Sequence, residues 1–315
     1  MRVVFMGTGD IGLPSLQALI DRPGCDVVAV VTQPDKPAGR GRQLRAPEIK
    51  NVALAAGIPV LQPRKLRDAE SVSQLAAFAP DLVVVMAYGQ ILSRAVLDLP
   101  RLACLNLHAS LLPRHRGAAP IQAAIAAGDA ETGITVMHMA EGLDTGDTLL
   151  SRSLPIRENE TGGSLHDRLA ELAPDALVEA LDQLQAGAAT RTPQDDALAT
   201  YAPRLKREDG RIDWSRPAIE IERHIRAMNP WPAAFTDLPL AAGGTSRLKI
   251  FSAALAPGET AAAPGALLAG DNAGILVAAS EGAVRLLEVQ GEGTRRMFAG
   301  DWLRGHAIPA GALAA

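Results

Sequence analysis

Up to about Leu154 the chain alternates short, continuously apolar runs with stretches whose apolar positions recur at helical spacing. The runs RVVFMG, DVVAVVT, IPVL, DLVVVMA and LACLNLH are separated by helical segments such as 13–20 and 68–78. A run that is apolar at every position, not at every second one, predicts a strand covered on both faces. Such strands build a mostly parallel sheet wrapped by helices, an open α/β sheet. GITVMHM and DTLLSRSLPI then follow with only AEGLDTG between them, which predicts a hairpin-like edge to that sheet. Residues 164–185 predict a closing helix, interrupted or kinked at Pro174.

After Gln185 the pattern changes. AGAATRTPQDDALATYAPRLKREDGRIDWS is short of aliphatic residues and mixes Pro, Gly, Asp and basic side chains, as linkers do. The expected boundary falls near Ala202, giving a first domain over 1–188, a linker over 189–205 and a second domain over 206–315. That second domain carries a helix over 217–228 and short strands, RLKIFSA, GILVAAS and AVRLLEV, spaced by Gly, Pro and Asn, which predict a small β-barrel. No internal repeat is visible, and APGETAAAPGALLAG has a mild alanine and glycine bias suited to a loop.

Composition narrows the function classes. The 315 residues are 48% hydrophobic, enough for packed cores, and no apolar run approaches the roughly 18 residues of a membrane helix. The first residues run straight into a strand, so neither a leader nor a membrane partner is expected, and the expected location is the cytoplasm of a bacterial-type cell. Cys25 and Cys104 form no CxxC pair, which argues against a disulfide framework or a zinc site. A net charge of -4 excludes a wholesale basic surface. Locally, 35–50 sets Lys36, Arg40, Arg42, Arg45 and Lys50 against Asp35 and Glu48, a balance of +3.

Two stretches carry candidate chemistry. GTGDIG, 7–12, follows the first strand and fits the dinucleotide fingerprint G-x-G-x-x-G, with Asp35 near the end of the second strand. On spacing alone, an NAD-dependent enzyme is therefore one reading. Against it, any open α/β sheet needs a tight first turn, and Asp35 lies in the basic, proline-flanked TQPDKPAGRGRQLR, poorly placed to clasp a ribose. The other stretch is CLNLHASLLPRHRGAAPIQ, 104–122. Asn106 and His108 are two apart, so on a strand they project to one side while Leu105 and Leu107 face the other. At the carboxyl end of a strand that side opens into the ligand crevice of an α/β sheet. Asn106 can donate to an oxygen that develops negative charge, and His108 can exchange a proton near neutral pH. The turn EGLDTGD offers a partner, because Gly142 and Gly146 let the backbone present Asp144 between two strands. Asn106 and His108 as a satisfied core pair, and Asp144 with Asp147 as Asx-turn residues, are the competing accounts. A metal set of Glu141, Asp144, Asp147 and His138 is weaker, since no histidine pair has ligand spacing.

NLHASLLPRHRGAAPIQ followed by GDAETGITVMHMAEGLDTGD resembles the 10-formyltetrahydrofolate-dependent formyltransferase family. TQPDKPAGRGRQL, YGQIL, IDW and RAMNPWPAAF extend the likeness over nearly the whole chain and match the branch that acts on initiator tRNA. The resemblance implies a Rossmann-like formyltransferase domain followed by a small OB-like β-barrel that grips tRNA. It implies transfer of a formyl group from 10-formyltetrahydrofolate, a co-substrate, to the α-amino group of methionine on initiator tRNA, without a metal and by a monomer. Asn106, His108 and Asp144 match the catalytic set. Ser110, Leu111, Leu112 and Pro113 match a folate-binding segment, and the backbone around Met86, Tyr88, Gly89 and Ile91 would face the pterin. Lys36, Arg40 and Arg42 lie in the loop that meets the acceptor end, while Arg204, Lys206, Arg207, Arg295 and Arg296 are candidate phosphate contacts. Two departures stand out: His115 occupies a position that is commonly aromatic in the family, and GTGDIG replaces the more usual GTPDF.

Overall fold

The computed structural model describes residues 1–38, 43–258, 261–309 and 312–315. In chain order the elements are β1 (Arg2–Gly7), α1 (Leu13–Asp21), β2 (Asp26–Val31), β3 (Lys36–Ala38), β4 (Gln43–Arg45), α2 (Glu48–Ala55), β5 (Val60–Leu61), α3 (Ala69–Ala76), β6 (Leu82–Met86), α4 (Arg94–Leu97), β7 (Ala103–His108) and β8 (Arg116–Gly117). Then come α5 (Pro120–Ala127), β9 (Glu131–His138), β10 (Thr148–Pro155), α6 (Gly162–Gln185), β11 (Tyr201–Ala202), α7 (Ala218–Met228), β12 (Ala234–Pro239), β13 (Thr245–Ala256), β14 (Leu267–Asp271), β15 (Gly274–Ala278), β16 (Ala283–Gly291), β17 (Met297–Phe298) and α8 (Ala299–Leu303).

The chain forms two compact units. One comprises 1–120, 131–155 and 166–203; the other comprises 121–130, 156–165 and 204–315. Two internal segments before residue 188 thus group with the C-terminal unit, and residues 189–203, read from composition as linker, group with the first.

The first unit is built on a seven-stranded sheet ordered β10-β9-β7-β6-β1-β2-β5. β5, β2, β1, β6 and β7 run parallel, and β9 and β10 add an antiparallel edge. β6 and β7 bury every residue, whereas β10 at the edge is largely exposed. One-sided and two-sided burial thus follow the sheet position. Val4, Met6, Val31, Leu75, Val83 and Tyr88 anchor the core on one face. Strand order reverses between β1 and β6, the switch point at which an open α/β sheet leaves a crevice beyond its carboxyl ends. The helix α6 continues unbroken through Pro174. In the second unit β12-β13-β16-β15-β14 form an antiparallel half-barrel sheet, with β17 pairing β16. Alternating burial along β12 leaves one face for a core with α7, whose Ile221 and Ile225 are buried.

Candidate active site

β7 ends the all-buried run with its two polar residues, Asn106 and His108, 8% and 6% exposed. His108 Nε2 lies 2.9 Å from the His115 carbonyl oxygen. A carbonyl only accepts, so Nε2 carries a hydrogen and Nδ1 is the nitrogen left for chemistry. Nδ1 sits 3.7 Å from Oδ2 of Asp144. The other carboxylate oxygen, Oδ1, accepts from Asn106 Nδ2 at 3.4 Å, and Oδ2 accepts from the Gly117 N–H at 2.8 Å. The asparagine, the histidine and the aspartate are therefore brought together. An acceptor nitrogen facing a carboxylate is matched when one proton is shared between them, which is the arrangement a proton relay needs.

The turn that presents Asp144 works differently from its sequence expectation. Asp144 itself adopts the left-handed backbone, φ 53°, while Gly146 is required by crowding, because a Cβ there would fall on the His138 carbonyl oxygen. The turn is closed by the His138 N–H donating to the Asp147 carbonyl at 2.8 Å. A non-glycine residue in that conformation is costly and persists only where its surroundings hold it.

Those surroundings come from 109–117 and 189–202. The Ser110 hydroxyl, fully buried, donates to the Arg114 carbonyl at 2.6 Å, and Thr135 Oγ1 donates to the Ser110 carbonyl at 2.7 Å and accepts from the Leu112 N–H at 3.1 Å. His115 is buried with φ 58°; its N–H donates to Thr200 Oγ1 at 2.8 Å. β8 pairs in parallel with β11, and a Cβ on Gly117 would stand 2.5 Å from the Ala202 carbonyl. Arg116, 1% exposed, donates to Gln194 and Asp196. Arg116, Thr135, Gln194 and Thr200 went unnoticed in the sequence. The one available signal was TPQDDALATYAP, whose polar and proline content reads as linker.

The folate candidates divide. Met86 and Tyr88 are buried as whole residues, 1% and 2% exposed, burial pushes the Tyr88 phenol up to about 12, and the Tyr88 carbonyl accepts from Thr8 Oγ1 at 3.1 Å. Ala87 and Gly89 take φ 51° and 84°, and Ile91 is 82% exposed. Leu111, Leu112 and Pro113 are half-buried. Beside them the GTGDIG turn spends its donors inside the fold: the Thr8 and Gly9 N–H groups both reach the Ala87 carbonyl, at 3.2 and 3.3 Å. Asp35 accepts from Gln62 at 2.7 Å and from Lys50 at 2.8 Å, and those hydrogen bonds hold its carboxyl below the usual range. The Thr8 and Gly9 donors and the Asp35 carboxylate that the NAD reading would use are thus engaged within the fold.

Lys36 and Arg45 are exposed and directly opposite one another on the β3–β4 hairpin, a like-charge pair that costs stability unless an anion joins it. Arg40 and Arg42 lie outside the described residues. Arg204, Lys206 and Arg207 are exposed on the second unit, and among the described residues none of their side chains is in an ion pair. Arg295 is exposed too, but Arg296 is engaged, paired with Glu288 and lying 4.4 Å over the Phe251 ring. Among the described residues no three His, Cys, Asp or Glu side chains come together as a metal site, and no helix is long and apolar enough to cross a membrane.

Comparison with known proteins adds the family. A formyl transferase family model matches 1–181, and a model of the formyl transferase C-terminal domain matches 204–307. The chain is 50% identical over 306 residues to the methionyl-tRNA formyltransferase of Akkermansia muciniphila, covering 97% of each chain. It is 53% identical over 290 residues to that of Pseudomonas paraeruginosa, covering 92% of this chain and 91% of the relative. Among solved structures, the sugar 3N-formyl transferase WlaRD, crystallised in the presence of dTDP and 5-N-formyl-THF, shares the fold with a TM-score of 0.67 at 17% identity, covering 94% of this chain and 99% of that one.

Proposed function

The chain is an enzyme of the formyl transferase family, with that family's N-terminal and C-terminal parts in order, and from this premise we propose that it moves the formyl group of 10-formyltetrahydrofolate onto the α-amino group of initiator methionyl-tRNA. The observation that carries this reading is the convergence of Asn106, His108 and Asp144 at the end of β7. Formyl transfer exchanges one C–N bond for another. It needs a home for negative charge on the formyl oxygen and a route for one proton, and it requires no covalent enzyme adduct. Asn106 uses one amide hydrogen on Asp144 and keeps the other for the oxygen. His108, steadied through Nε2 by the His115 carbonyl, donates from Nδ1 to the same charge once that nitrogen carries a proton. Asp144 takes the proton released by the attacking amine, and the His108 ring can pass it on to the nitrogen that departs.

The co-substrate would take the crevice at the switch point, where Ala87 and Gly89 are exposed above buried Met86 and Tyr88 and Ile91 offers an exposed apolar side chain, with Ser110, Leu111, Leu112 and Pro113 as a second folate-binding segment. In this reading 1–188 is the catalytic domain, 189–205 the connection and 206–315 the tRNA-binding domain. Lys36, Arg40, Arg42, Arg204, Lys206 and Arg207 meet phosphates, a sequence-independent grip. The enzyme works as a cytoplasmic monomer.

The test is formylation of charged initiator tRNA by the purified chain with 10-formyltetrahydrofolate, run beside a sugar-nucleotide amine and glycinamide ribonucleotide. Only the tRNA should be formylated. Formylation of a small amine alone would overturn the acceptor, and no formylation of any would overturn the activity.

A further inference from the structure

The segment over 189–202 carries a residue that the catalytic triangle does not include but on which its geometry depends. Gln194 Oε1 accepts from Arg116 twice, from Nε at 3.0 Å and from Nη2 at 2.8 Å. Its Nε2 donates twice, to the Asp144 carbonyl at 2.9 Å and to the Gly146 carbonyl at 2.7 Å. The orientation of this amide is forced at both ends, since a guanidinium only donates and a carbonyl only accepts. Arg116 is itself fixed: its side chain is 2% exposed, it is shared with Asp196, and its backbone is held in the β8–β11 pairing. Glutamine is the one common side chain of this length that can offer an acceptor to the arginine and two hydrogens to the turn.

The two carbonyls it grips belong to the strained residue itself and to Gly146, two positions on. Asp144 stands at φ 53°, and the carboxylate it presents must meet Gly117, Asn106 and His108 together. We propose that Gln194 is a positioning residue for the formyl transfer, clamping the 144–146 turn to buried Arg116 so that the Asp144 carboxylate is held against His108 and Asn106. Residues beyond the match to the N-terminal family model, which ends at 181, thereby set the geometry of its active site. The inference rests on the reading of Asp144 as the proton-handling carboxylate.

Gln194→Glu is the discriminating variant. It keeps an oxygen for Arg116 and replaces the two hydrogens facing the turn with a second acceptor, so it releases the clamp without stranding the arginine. Gln194→Met removes the clamp with no added charge and leaves Arg116 its Asp196 partner. Both should lower kcat for formylation of initiator methionyl-tRNA by about 10²-fold, the usual consequence of misplacing a reacting group by about 1 Å. KM for tRNA and for 10-formyltetrahydrofolate should stay within a few-fold, and the limbs of the kcat–pH profile should move, because the spacing of Asp144 and His108 has changed. Asp144→Ala in the same assay separates the two levels of the account: wild-type turnover there would sink the role of Asp144 itself. Loss in Asp144→Ala with normal kcat in either folded Gln194 variant would overturn the clamp. A fall in thermal stability with an unmoved pH profile, or with kcat and KM both degraded, would reduce Gln194 to a structural contact. Should Gln194→Glu fail to fold, Gln194→Met carries the same prediction.

Discussion

Two glycine-bearing turns of the first unit, 7–12 after β1 and 139–147 between β9 and β10, look alike in sequence and are used in opposite ways. In the first, Gly9 and Gly12 have ordinary negative φ, and the Thr8 and Gly9 N–H groups go to the Ala87 carbonyl. Its Gly7 answers to crowding, since a Cβ there would stand 2.7 Å from the Phe5 ring and 3.0 Å from the Met86 carbonyl. In the second, the strained residue is an aspartate, and the backbone around it is gripped so that its carboxylate faces outward to other side chains. The lesson is that a glycine pattern marks a close approach of backbone, and the destination of the freed donors decides whether a ligand is involved.

The contrast breaks most sharply at Gly146→Ala. The added methyl would meet the His138 carbonyl, so the turn must shift, and turnover should fall by about 10²-fold as Asp144 leaves its place. Steady-state formylation kinetics beside a thermal melt read both halves of this expectation; unchanged turnover would mean that the turn tolerates movement.

A smaller effect is expected from acid. Burial pushes the His138 imidazole below its ordinary 6.5, with Arg191 adding to the shift and Asp147 opposing it. The unfolded chain therefore takes up a proton at this site before the folded one does, so stability should be complete above about pH 6.5 and decline as pH falls below it. His224 is lowered too, chiefly by burial, and contributes in the same direction. The melting temperature of wild type should fall relative to that of His138→Phe as pH goes from about 7 to about 5. Parallel curves would remove His138 as a source of acid lability.

The smallest effect is expected in the first turn. Gly9→Ala meets the Ala87 methyl at 3.2 Å and Ile11 at 3.7 Å and needs no special φ, so it should cost at most about 1 kcal/mol and leave formylation nearly intact. NADH should give no fluorescence change with either form. Tight NADH binding would reopen the dinucleotide reading.

What the sequence disclosed followed its periodicities. Continuous apolar runs located β1, β2, β6 and β7, and the period of two put Asn106 and His108 on one side. The turn residue Asp144 was found, though through Gly142 and Gly146 when its own backbone carries the strain. Hidden from the sequence were contacts with no local signature. β8 and β11 are two residues each, too short for any period, and Gln194 matters only because Arg116, 78 positions earlier, is buried beside it. Likewise, the half-barrel sheet was visible as separate strands, but the grouping of 121–130 and 156–165 with it depends on tertiary packing alone.

The most direct test of the account is the single-turnover rate of formylation of initiator methionyl-tRNA by Asp144→Asn, with both substrates saturating. The amide preserves shape and can still accept from Gly117, but it cannot take up the amine proton. The rate should fall by at least about 10²-fold with binding of tRNA and folate unchanged. A rate equal to wild type would contradict it.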